Sequence, residues 1–529
     1  MAFPTRFLTT AIDYTNAPPH IGHAYEKILT DVFARHHRLC GRPTYFLTGV
    51  DQHGQKVAQS AEKEGISPRE FAERNTEKFL AIYRKLGLSN DGWAATTDER
   101  HVRVVQAALQ RLFDCGQVYK AAYEGFYSVR AEQFLTDKER GPDGLYGAEW
   151  GEVVPLREEN YYFKLDRDWL LRFLAEFPEN IYPAFRRADV MQAAHKISGD
   201  LCISRPKERL NWGIELPFNR NFVTYVWFDA LMNYLSFSGW LADEVNAAPE
   251  VRATLPQFAE LWPACVQVIG KDILVPAHGI YWPLMLHGLG FKDEEIPKLI
   301  VHGWWNLSGE KMSKSIGNVV DPDVLADKYG VTALRYYLMR DMATGSDADF
   351  SEERLIGRYN SDLANGLGNL LNRTLNMSAR YRSGKLSRGG LAAEADEIKH
   401  LNDVVRDAVS EYGVQMDRYQ PHGALEALWS IVNAANALVE TSAPFKLAKL
   451  TDDSAAQARL DAVLSALAES LRVIAILIEP VLPDASVAML AQLNVTVPTG
   501  NRLESVRRDH LAEGHQLTAP TPLFPRIEI

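Results

Sequence analysis

The chain has 529 residues, which is too long for one hydrophobic core and predicts several domains. Its net charge of −11 argues against nucleic-acid binding over the whole surface, although a local basic strip could still bind RNA. The sequence has no apolar run long enough to span a bilayer and no signal-peptide core, and its four scattered cysteines suggest neither disulfides nor a Cys-x-x-Cys metal site. We therefore expect a cytoplasmic protein without a membrane partner.

The first predicted unit is a strand, a turn and a helix within residues 7–39. The apolar run Phe7–Ile12 is typical of a buried strand, and a helical pattern begins near His20. Helix N-termini attract anions through unpaired backbone N–H groups. Gly22 would allow a nucleotide close to the backbone, and His20 and His23 could donate to phosphate oxygens. Taken alone, two histidines at this spacing are more often ordinary surface residues.

A second strand, Thr44–Val50, ends at the segment Asp51-Gln52-His53-Gly54. In open α/β sheets, ligands bind at the carboxyl ends of the strands. Asp51 can be read as a helix N-cap or as a carboxylate that pairs with an ammonium group, and the two interpretations are compatible.

Residues 115–220 interrupt the alternation of strands and helices with short aromatic segments and turn clusters. The alternation resumes from residue 221, where Trp227, Ala230 and Tyr234 would share one face of a helix. That spacing is compatible with a pocket wall and equally with a core. A further strand, Val266–Ile269, leads through a strand-end loop to His278 and Trp282.

The segment Lys311-Met312-Ser313-Lys314-Ser315 follows a predicted strand and has glycine on both sides. Two lysines three residues apart usually mark a solvated face. A glycine-flanked loop can also close over phosphates, for which lysine supplies a compact positive charge.

Strand patterns disappear after residue 350, and alanine- and leucine-rich helical patterns predict a helix bundle. The proline-containing tail over residues 498–529 is expected to lie back on the body. The predicted helical stretches are Leu355–Arg382, His400–Met416, Gly423–Leu438 and Ala455–Ile478.

The pair His20-Ile21-Gly22-His23 and Lys311-Met312-Ser313-Lys314-Ser315 resembles the double signature of the class I aminoacyl-tRNA synthetases. The residues between and after these motifs resemble methionyl-tRNA synthetases over nearly the whole chain. The resemblance implies an α/β fold class: a Rossmann-like nucleotide-binding domain split by a connective insertion, then an all-α helix-bundle domain. The implied boundaries are 1–114 with 221–295 for the catalytic domain, 115–220 for the insertion, 296–350 for a stem-contact region, 351–497 for the anticodon-binding domain and 498–529 for the tail.

The implied activity is that of a methionine–tRNA ligase, which forms methionyl-adenylate and pyrophosphate from methionine and ATP and then charges the 3′ end of tRNA(Met) for translation. The implied catalytic residues are His20, His23, Lys311 and Lys314, with Gly22, His20, His23 and Lys314 binding ATP. The implied methionine-binding residues are Ala11, Ile12, Tyr14, Asp51, Trp227, Ala230, Tyr234, His278 and Trp282. The implied anticodon-binding residues are Asn369, Arg373 and Phe445, the last standing where a tryptophan is usual.

Mg²⁺ is expected to accompany ATP, but no structural zinc is expected. Many relatives carry cysteine pairs in the insertion, whereas this chain has Ser128–Ala131 at the corresponding place and no second pair. The chain stops before a further dimer-forming domain would fit, so we expect a monomer.

Three alternatives remain open from the sequence. A different class I synthetase could share both signatures, because amino-acid choice depends on the segments 227–234 and 273–282. A non-catalytic RNA-binding module would usually have lost signature residues, and all four histidines and lysines are present. A small nucleotidyltransferase would leave Lys311–Ser315 and the helical region without a role.

Overall fold

The computed structural model describes residues 5–128, 133–135, 139–141, 143–307, 309–312, 319–496, 499–508 and 511–528. Within these ranges, no helix combines the length and apolarity needed to cross a bilayer.

The elements follow the chain in three groups: a parallel α/β part, an antiparallel insertion, and a helical part. The strands are β1 Arg6–Thr10, β2 Asp13–Tyr14, β3 Thr44–Asp51, β4 Gly92–Ala95, β5 Val118–Ser128, β6 Gln133–Leu135, β7 Val153–Phe163, β8 Ile181–Tyr182, β9 Leu201–Cys202, β10 Ser204–Pro206, β11 Glu215–Leu216, β12 Asn219–Thr224, β13 Cys265–Gly270, β14 Lys298–His302, β15 Trp305–Leu307, β16 Glu310–Lys311 and β17 Ala348–Asp349. The α-helices are α1 Ile21–Leu39, α2 Gln55–Glu64, α3 Pro68–Lys85, α4 Glu99–Asp114, α5 Arg167–Glu176, α6 Ala184–Lys196, α7 Val226–Leu231, α8 Asn233–Ser236, α9 Ala242–Val245, α10 Pro249–Arg252, α11 Phe258–Leu261, α12 Trp282–Gly288, α13 Pro322–Tyr329, α14 Val331–Arg340, α15 Glu352–Arg358, α16 Asn369–Arg382, α17 Asp396–Asp417, α18 Pro421–Ser442, α19 Pro444–Leu447, α20 Ser454–Leu477, α21 Pro483–Gln492 and α22 Arg502–Arg508. Short 3₁₀ turns are Ala148–Trp150, Pro178–Asn180, Trp262–Ala264, Lys271–Ile273, Asp293–Glu295 and Gly390–Glu394, and π-helical segments are Leu274–Tyr281 and Tyr359–Gly368.

The central sheet is parallel and runs in the order β4, β3, β1, β13, β14, β8, with β2 pairing beside the end of β3. β1 and β13 are adjacent in space, although residues 11–264 separate them in the sequence. Both strands are almost entirely buried, which explains why their side chains are mostly apolar, with Thr9, Thr10 and Gln267 as buried polar exceptions. In such a sheet, the crevice between these strands at their carboxyl ends is where ligands bind.

The insertion between α4 and β13 is built on an antiparallel sheet with the order β6, β5, β7, β9. A smaller antiparallel sheet, β10–β12–β11, leads back to the centre. The insertion also contributes to the central sheet, because β8 pairs in parallel with β14. β14 itself lies in that sheet, so part of the predicted 296–350 region is structurally continuous with the Rossmann-like fold.

The C-terminal half is helical, and the predicted fold class is confirmed in both its α/β and all-α parts. The stretch predicted as one helix over Leu355–Arg382 differs in detail, because the π-helical segment Tyr359–Gly368 separates α15 from α16. One large core contains residues of α1 together with residues of α14, α17, α18 and α20. The helical part therefore packs directly on the nucleotide-binding part.

A buried arginine joins these two parts. Arg335 of α14 donates to Asp31 of α1 at 2.7 Å, and both side chains are almost completely buried. The same guanidinium donates to the carbonyls of Leu86, Val481 and Pro480 at 3.1, 2.8 and 3.2 Å. Burial alone would raise the pKa of Asp31, but the positive charges of Arg335 and Arg35 lower it.

We predict that Arg335→Leu destabilises the protein strongly, because it leaves Asp31 and three carbonyls without this donor. Removing one partner of a buried pair costs about 3–5 kcal/mol. The free energy of the first unfolding transition in urea would measure the loss. Arg406→Ala is the control, since Arg406 is exposed beside Asp403 and Asp407, and such pairs contribute less than about 1 kcal/mol. Equal midpoints for the two variants would contradict the prediction.

Candidate active site

A cavity of about 480 Å³ opens at the carboxyl ends of β1, β13 and β14. Most of the residues predicted to bind ligands line this one cavity, although they come from distant parts of the sequence. They are Ala11, Ile12, Tyr14, His20, Gly22, His23, Asp51, Trp227, Ala230, Tyr234 and His278.

The two signature histidines form the N-terminal cap of α1. His20 Nδ1 accepts from the backbone N–H of Gly22 at 3.0 Å, and His23 Nδ1 accepts from the backbone N–H of His20 at 3.1 Å. The rings stack with centroids 3.8 Å apart. Because each Nδ1 is an acceptor, each neutral ring carries its proton on Nε2.

This cap corrects the expectation that unpaired backbone N–H groups face an anion. The N–H groups of His20 and Gly22 are taken by imidazoles, and that of Ile21 donates to Val320 O at 3.0 Å. Donors to an anion at this helix end would therefore be imidazole Nε2–H groups. The bond to Val320 also ties the first motif to the chain just after the second.

Only part of the second motif can be placed. Lys311 ends β16, which pairs with β15, and Met312 lines the cavity. Lys314, with Ser313 and Ser315, lies outside the described residues.

A buried charge cluster lies beneath the histidines, and the sequence analysis missed it. Lys27 Nζ donates to Ala11 O at 2.9 Å, Asp13 Oδ1 at 2.6 Å and Glu26 Oε1 at 2.8 Å. Burial alone would raise the pKa of Glu26, but the Lys27 charge and the hydrogen bond from His302 lower it to about 2. Two carboxylates and a lysine thus fix the backbone at Ala11 in the cavity wall.

A hydrogen-bonded pair of aromatic side chains forms another part of the cavity wall. Tyr234 and His278 are buried, and the Tyr234 hydroxyl lies 2.8 Å from His278 Nε2. His278 Nδ1 lies 3.0 Å from Ile273 O and therefore donates to it. Burial lowers the pKa of His278 to about 4, so its ring is neutral at pH 7. Its Nε2 therefore accepts a hydrogen bond from the Tyr234 hydroxyl.

Trp282 does not line the cavity. It is buried behind Tyr234, with ring centroids 5.5 Å apart, and packs against Trp262 at 6.4 Å. It supports the wall in this structure and does not face the cavity.

Two family models match the chain along most of its length. One, described as tRNA synthetases class I (M), matches residues 6–143 and 150–375. The other, described as the anticodon binding domain of methionyl tRNA ligase, matches residues 387–528.

Full-length relatives agree with these matches. Methionine–tRNA ligase of Rhizobium meliloti is 40% identical over 98% of this chain and 98% of its own length. That of Brucella suis is 41% identical over 98% and 97%. A solved structure of Mycobacterium tuberculosis methionyl-tRNA synthetase in complex with methionyl-adenylate has a TM-score of 0.90 and 36% identity, covering 99% of this chain and 100% of that one.

The chain belongs to the methionyl-tRNA synthetases. It is a methionine–tRNA ligase, which activates methionine with ATP and transfers it to tRNA.

Several lining residues of this synthetase were missed by the sequence analysis. A strand-end signal existed for some of them. Gly270 ends β13 and Asp272 follows it, and His302 ends β14 and is followed by Gly303 and Trp304. No sequence pattern indicated the others, among them Asp13, Glu26, Lys56, Tyr225 and Asn233.

The three predicted anticodon-binding residues lie in the helical half of the synthetase. Asn369 is exposed at the start of α16, and Arg373, one turn later, pairs with Glu440 of α18 at 2.9 Å. Phe445 is 46% exposed on α19, five residues after Glu440. The structure thus brings Arg373 close to the chain segment that carries Phe445.

Among the described residues of the synthetase, no group of three or more His, Cys, Asp or Glu side chains is arranged to hold a metal ion. The segment 129–132, on which the zinc expectation partly depends, lies outside those residues.

We predict that Gly22→Ala slows methionine activation, because the new Cβ would lie 2.8 Å from His20 Cε1 and would displace the cap. Misplacing a contact group by about 1 Å can cost ~100-fold in rate, so we expect at least about a tenfold fall in kcat for ATP–pyrophosphate exchange. Gly357→Ala on α15 is the control, because its Cβ meets nothing within 4 Å. Unchanged exchange in Gly22→Ala would contradict the role of this cap.

Proposed function

We propose that the cavity binds methionine beside Tyr234 and His278 and ATP beside His20 and His23, and that both steps of the ligase reaction occur between them. The observation that carries this proposal is that one cavity is lined by two kinds of group. They are the buried side chains of Tyr234 and His278 with Trp227, and the imidazoles of His20 and His23 at the start of α1.

Methionine fits the part of the cavity beside Tyr234 and His278, because a thioether is apolar and polarisable. Sulfur–aromatic contacts are favourable by about 0.3–1.5 kcal/mol, and Trp227 and Tyr234 supply rings. Asp51 would accept the substrate ammonium, and Ala11, Ile12, Tyr14 and Ala230 would complete the wall. One methylene is worth only about 1–3 kcal/mol, so homocysteine should compete.

The first step needs no covalent nucleophile from the protein. The methionine carboxylate oxygen attacks the α-phosphorus of ATP, the bond to the β-phosphate oxygen breaks, and pyrophosphate leaves. Nε2–H groups of His20 and His23 would donate to phosphate oxygens, with Gly22 allowing close approach. Lys311 and Lys314 would stabilise the charge on the leaving pyrophosphate.

In the second step the terminal ribose hydroxyl of tRNA attacks the activated carbonyl, and AMP leaves. The protein contributes positioning and charge stabilisation. Mg²⁺ bound to the phosphates would neutralise their charge. Carboxylates suit this ion, but Asp13 and Glu26 already contact Lys27, so few dedicated protein ligands are expected.

We further propose that the protein is a cytoplasmic monomer without structural zinc. The insertion has an 11-residue antiparallel ladder between β5 and β7 and a core with Phe163 and Leu201, which supports folding without metal. Elemental analysis that found one zinc per chain, or sedimentation as a dimer, would contradict these two proposals.

The activity is tested by ATP–pyrophosphate exchange against a panel of amino acids without tRNA. We expect strong exchange with methionine, weak exchange with homocysteine, and none above background with the other amino acids. Exchange with a different amino acid would contradict the assignment of the pocket to methionine but would agree with the activation reaction. No exchange at all would instead favour a non-catalytic RNA-binding module.

For tRNA recognition, we propose that Asn369 and Arg373 contact anticodon bases and that Phe445 stacks on one. Arg373→Ala should lower the rate of tRNA charging at least about tenfold, since a good bidentate base contact is worth ~1–3 kcal/mol. Exchange without tRNA should stay unchanged. Arg380→Ala, an exposed arginine on the same helix, is the control. Equal loss of charging and exchange in Arg373→Ala would contradict an anticodon role.

A further inference from the structure

We propose that Asp229 and His53 are positioning residues for methionine. Their hydrogen bond sets the distance between the turn Asp51–Gly54 and helix α7, so that Asp51 can contact the ammonium group of the substrate. This inference rests on the proposed role of Asp51.

Asp229 lies in α7, the helix that carries two residues of the methionine pocket wall. Trp227 precedes it by two residues and Ala230 follows it directly, and both line the cavity. The Asp229 carboxylate itself faces away from solvent and is fully buried. A buried carboxylate is strongly destabilising unless hydrogen bonds and opposite charge compensate it, so its partners are tightly constrained.

Two imidazoles provide that compensation. His53 Nδ1 lies 2.7 Å from one carboxylate oxygen, and His101 Nε2 lies 2.8 Å from the other. Since an ionised carboxylate only accepts, both ring nitrogens are donors. Burial alone would raise the pKa of Asp229, but the two histidines lower it, which keeps the carboxylate ionised.

The two histidines have different neighbours. His53 is two residues from Asp51, and its backbone N–H lies 3.4 Å from Asp51 Oδ1. His101 belongs to α4, and its other nitrogen lies 2.8 Å from Ser236 Oγ in α8. The bond from His53 thus connects α7 with the ammonium-binding turn, whereas His101 connects α7 with α4 and α8 and makes no described bond to the turn.

The turn is held from its other side by the insertion. Trp212 Nε1 donates to Gln52 O at 2.6 Å, and Trp212 O accepts from Gly54 N at 3.3 Å. The Trp212 ring meets the His53 ring edge to face, with centroids 5.2 Å apart. Gly54 has a φ of +100° and could not carry a Cβ, which would lie 2.6 Å from the Tyr14 hydroxyl. On the sheet side, Thr15 N and Oγ1 donate to Asp51 O at 2.9 and 3.0 Å, and Gln52 N donates to Thr96 Oγ1 at 2.9 Å. The turn is therefore held on several sides, and the His53 bond links it to α7.

The proposal concerns the distance between the Asp51 carboxylate and the ammonium group of bound methionine. Asp51 ends β3, and Trp227 of α7 and Tyr234 of α8 line the same cavity, so a methionine bound as proposed would contact all three. If α7 and the turn separate, the substrate cannot satisfy both contacts at once. The loss should then appear in methionine binding and leave ATP binding unaffected, because the proposed ATP contacts lie at the start of α1 and in the segment Lys311–Ser315.

The experiment measures KM for methionine, KM for ATP and kcat by ATP–pyrophosphate exchange on the full chain. His53→Ala should raise KM for methionine at least about tenfold, the order expected when a contact group is displaced by a fraction of an ångström, with KM for ATP within about twofold. His53→Asn, whose amide can stand near the position of Nδ1, should restore most of the affinity.

His101→Asn is the matched control, because it removes the donor to the other oxygen of the same carboxylate. We expect it to lower the unfolding midpoint and to change KM for methionine less than about threefold. If His53→Ala fails to fold, Trp212→Phe replaces it, since it keeps a ring and loses the bond to Gln52; its KM for methionine should also rise.

The outcomes separate this inference from the proposed function. If Asp51→Asn leaves KM for methionine unchanged, the role of Asp51 itself is wrong. If Asp51→Asn raises it but His53→Ala and Trp212→Phe do not, the positioning role is overturned. Equal changes in KM for methionine in the His53 and His101 variants would also overturn it, because they would indicate general loosening of the core.

Discussion

The burial of charged residues along α1 is the constraint on which the rest of the structure depends. Helix α1 is enclosed by the sheet on one side and by the helical half on the other, yet it carries Glu26, Lys27 and Asp31. Each charge needs a partner, because an unpaired buried charge costs several kcal/mol. Lys27 satisfies this with Asp13 and Glu26, and Asp31 with Arg335. The same pairs hold the cavity wall and join the two halves of the molecule, so the catalytic site and the interdomain joint share one helix.

The histidines of the cavity take their proton positions from their surroundings. Burial lowers the pKa of His278 and keeps its ring neutral, so that it can accept a hydrogen bond from Tyr234. The cap on α1 places the proton of His20 and of His23 on Nε2, because each Nδ1 accepts a backbone N–H. Neither arrangement requires a chemically unusual side chain.

Much of the fold could be predicted from the sequence, because its strands are short apolar runs between turn residues. β1, β3 and β13 were predicted within about two residues, and the two signature motifs indicated where the cavity would open. The differences between expectation and structure have physical causes. The imidazole cap on α1 depends on rotamers that motif spacing does not specify. Trp282 shares a helical face with His278, but packing turns it towards Trp262. The cluster around Lys27 joins residues that no sequence pattern links. Nothing in the sequence around Asp229 indicates that His53 and His101 contact it.

The two-residue strand β8 has a consequence beyond the catalytic site. The main chain of a sheet edge can pair with a strand of another molecule, and proteins protect such edges by keeping them short or covered. By placing Ile181–Tyr182 beside β14, the insertion reduces the open edge on that side to a single short strand. In the folded protein, the long main chain of β14 is therefore paired on that side and is not open to a strand of another molecule.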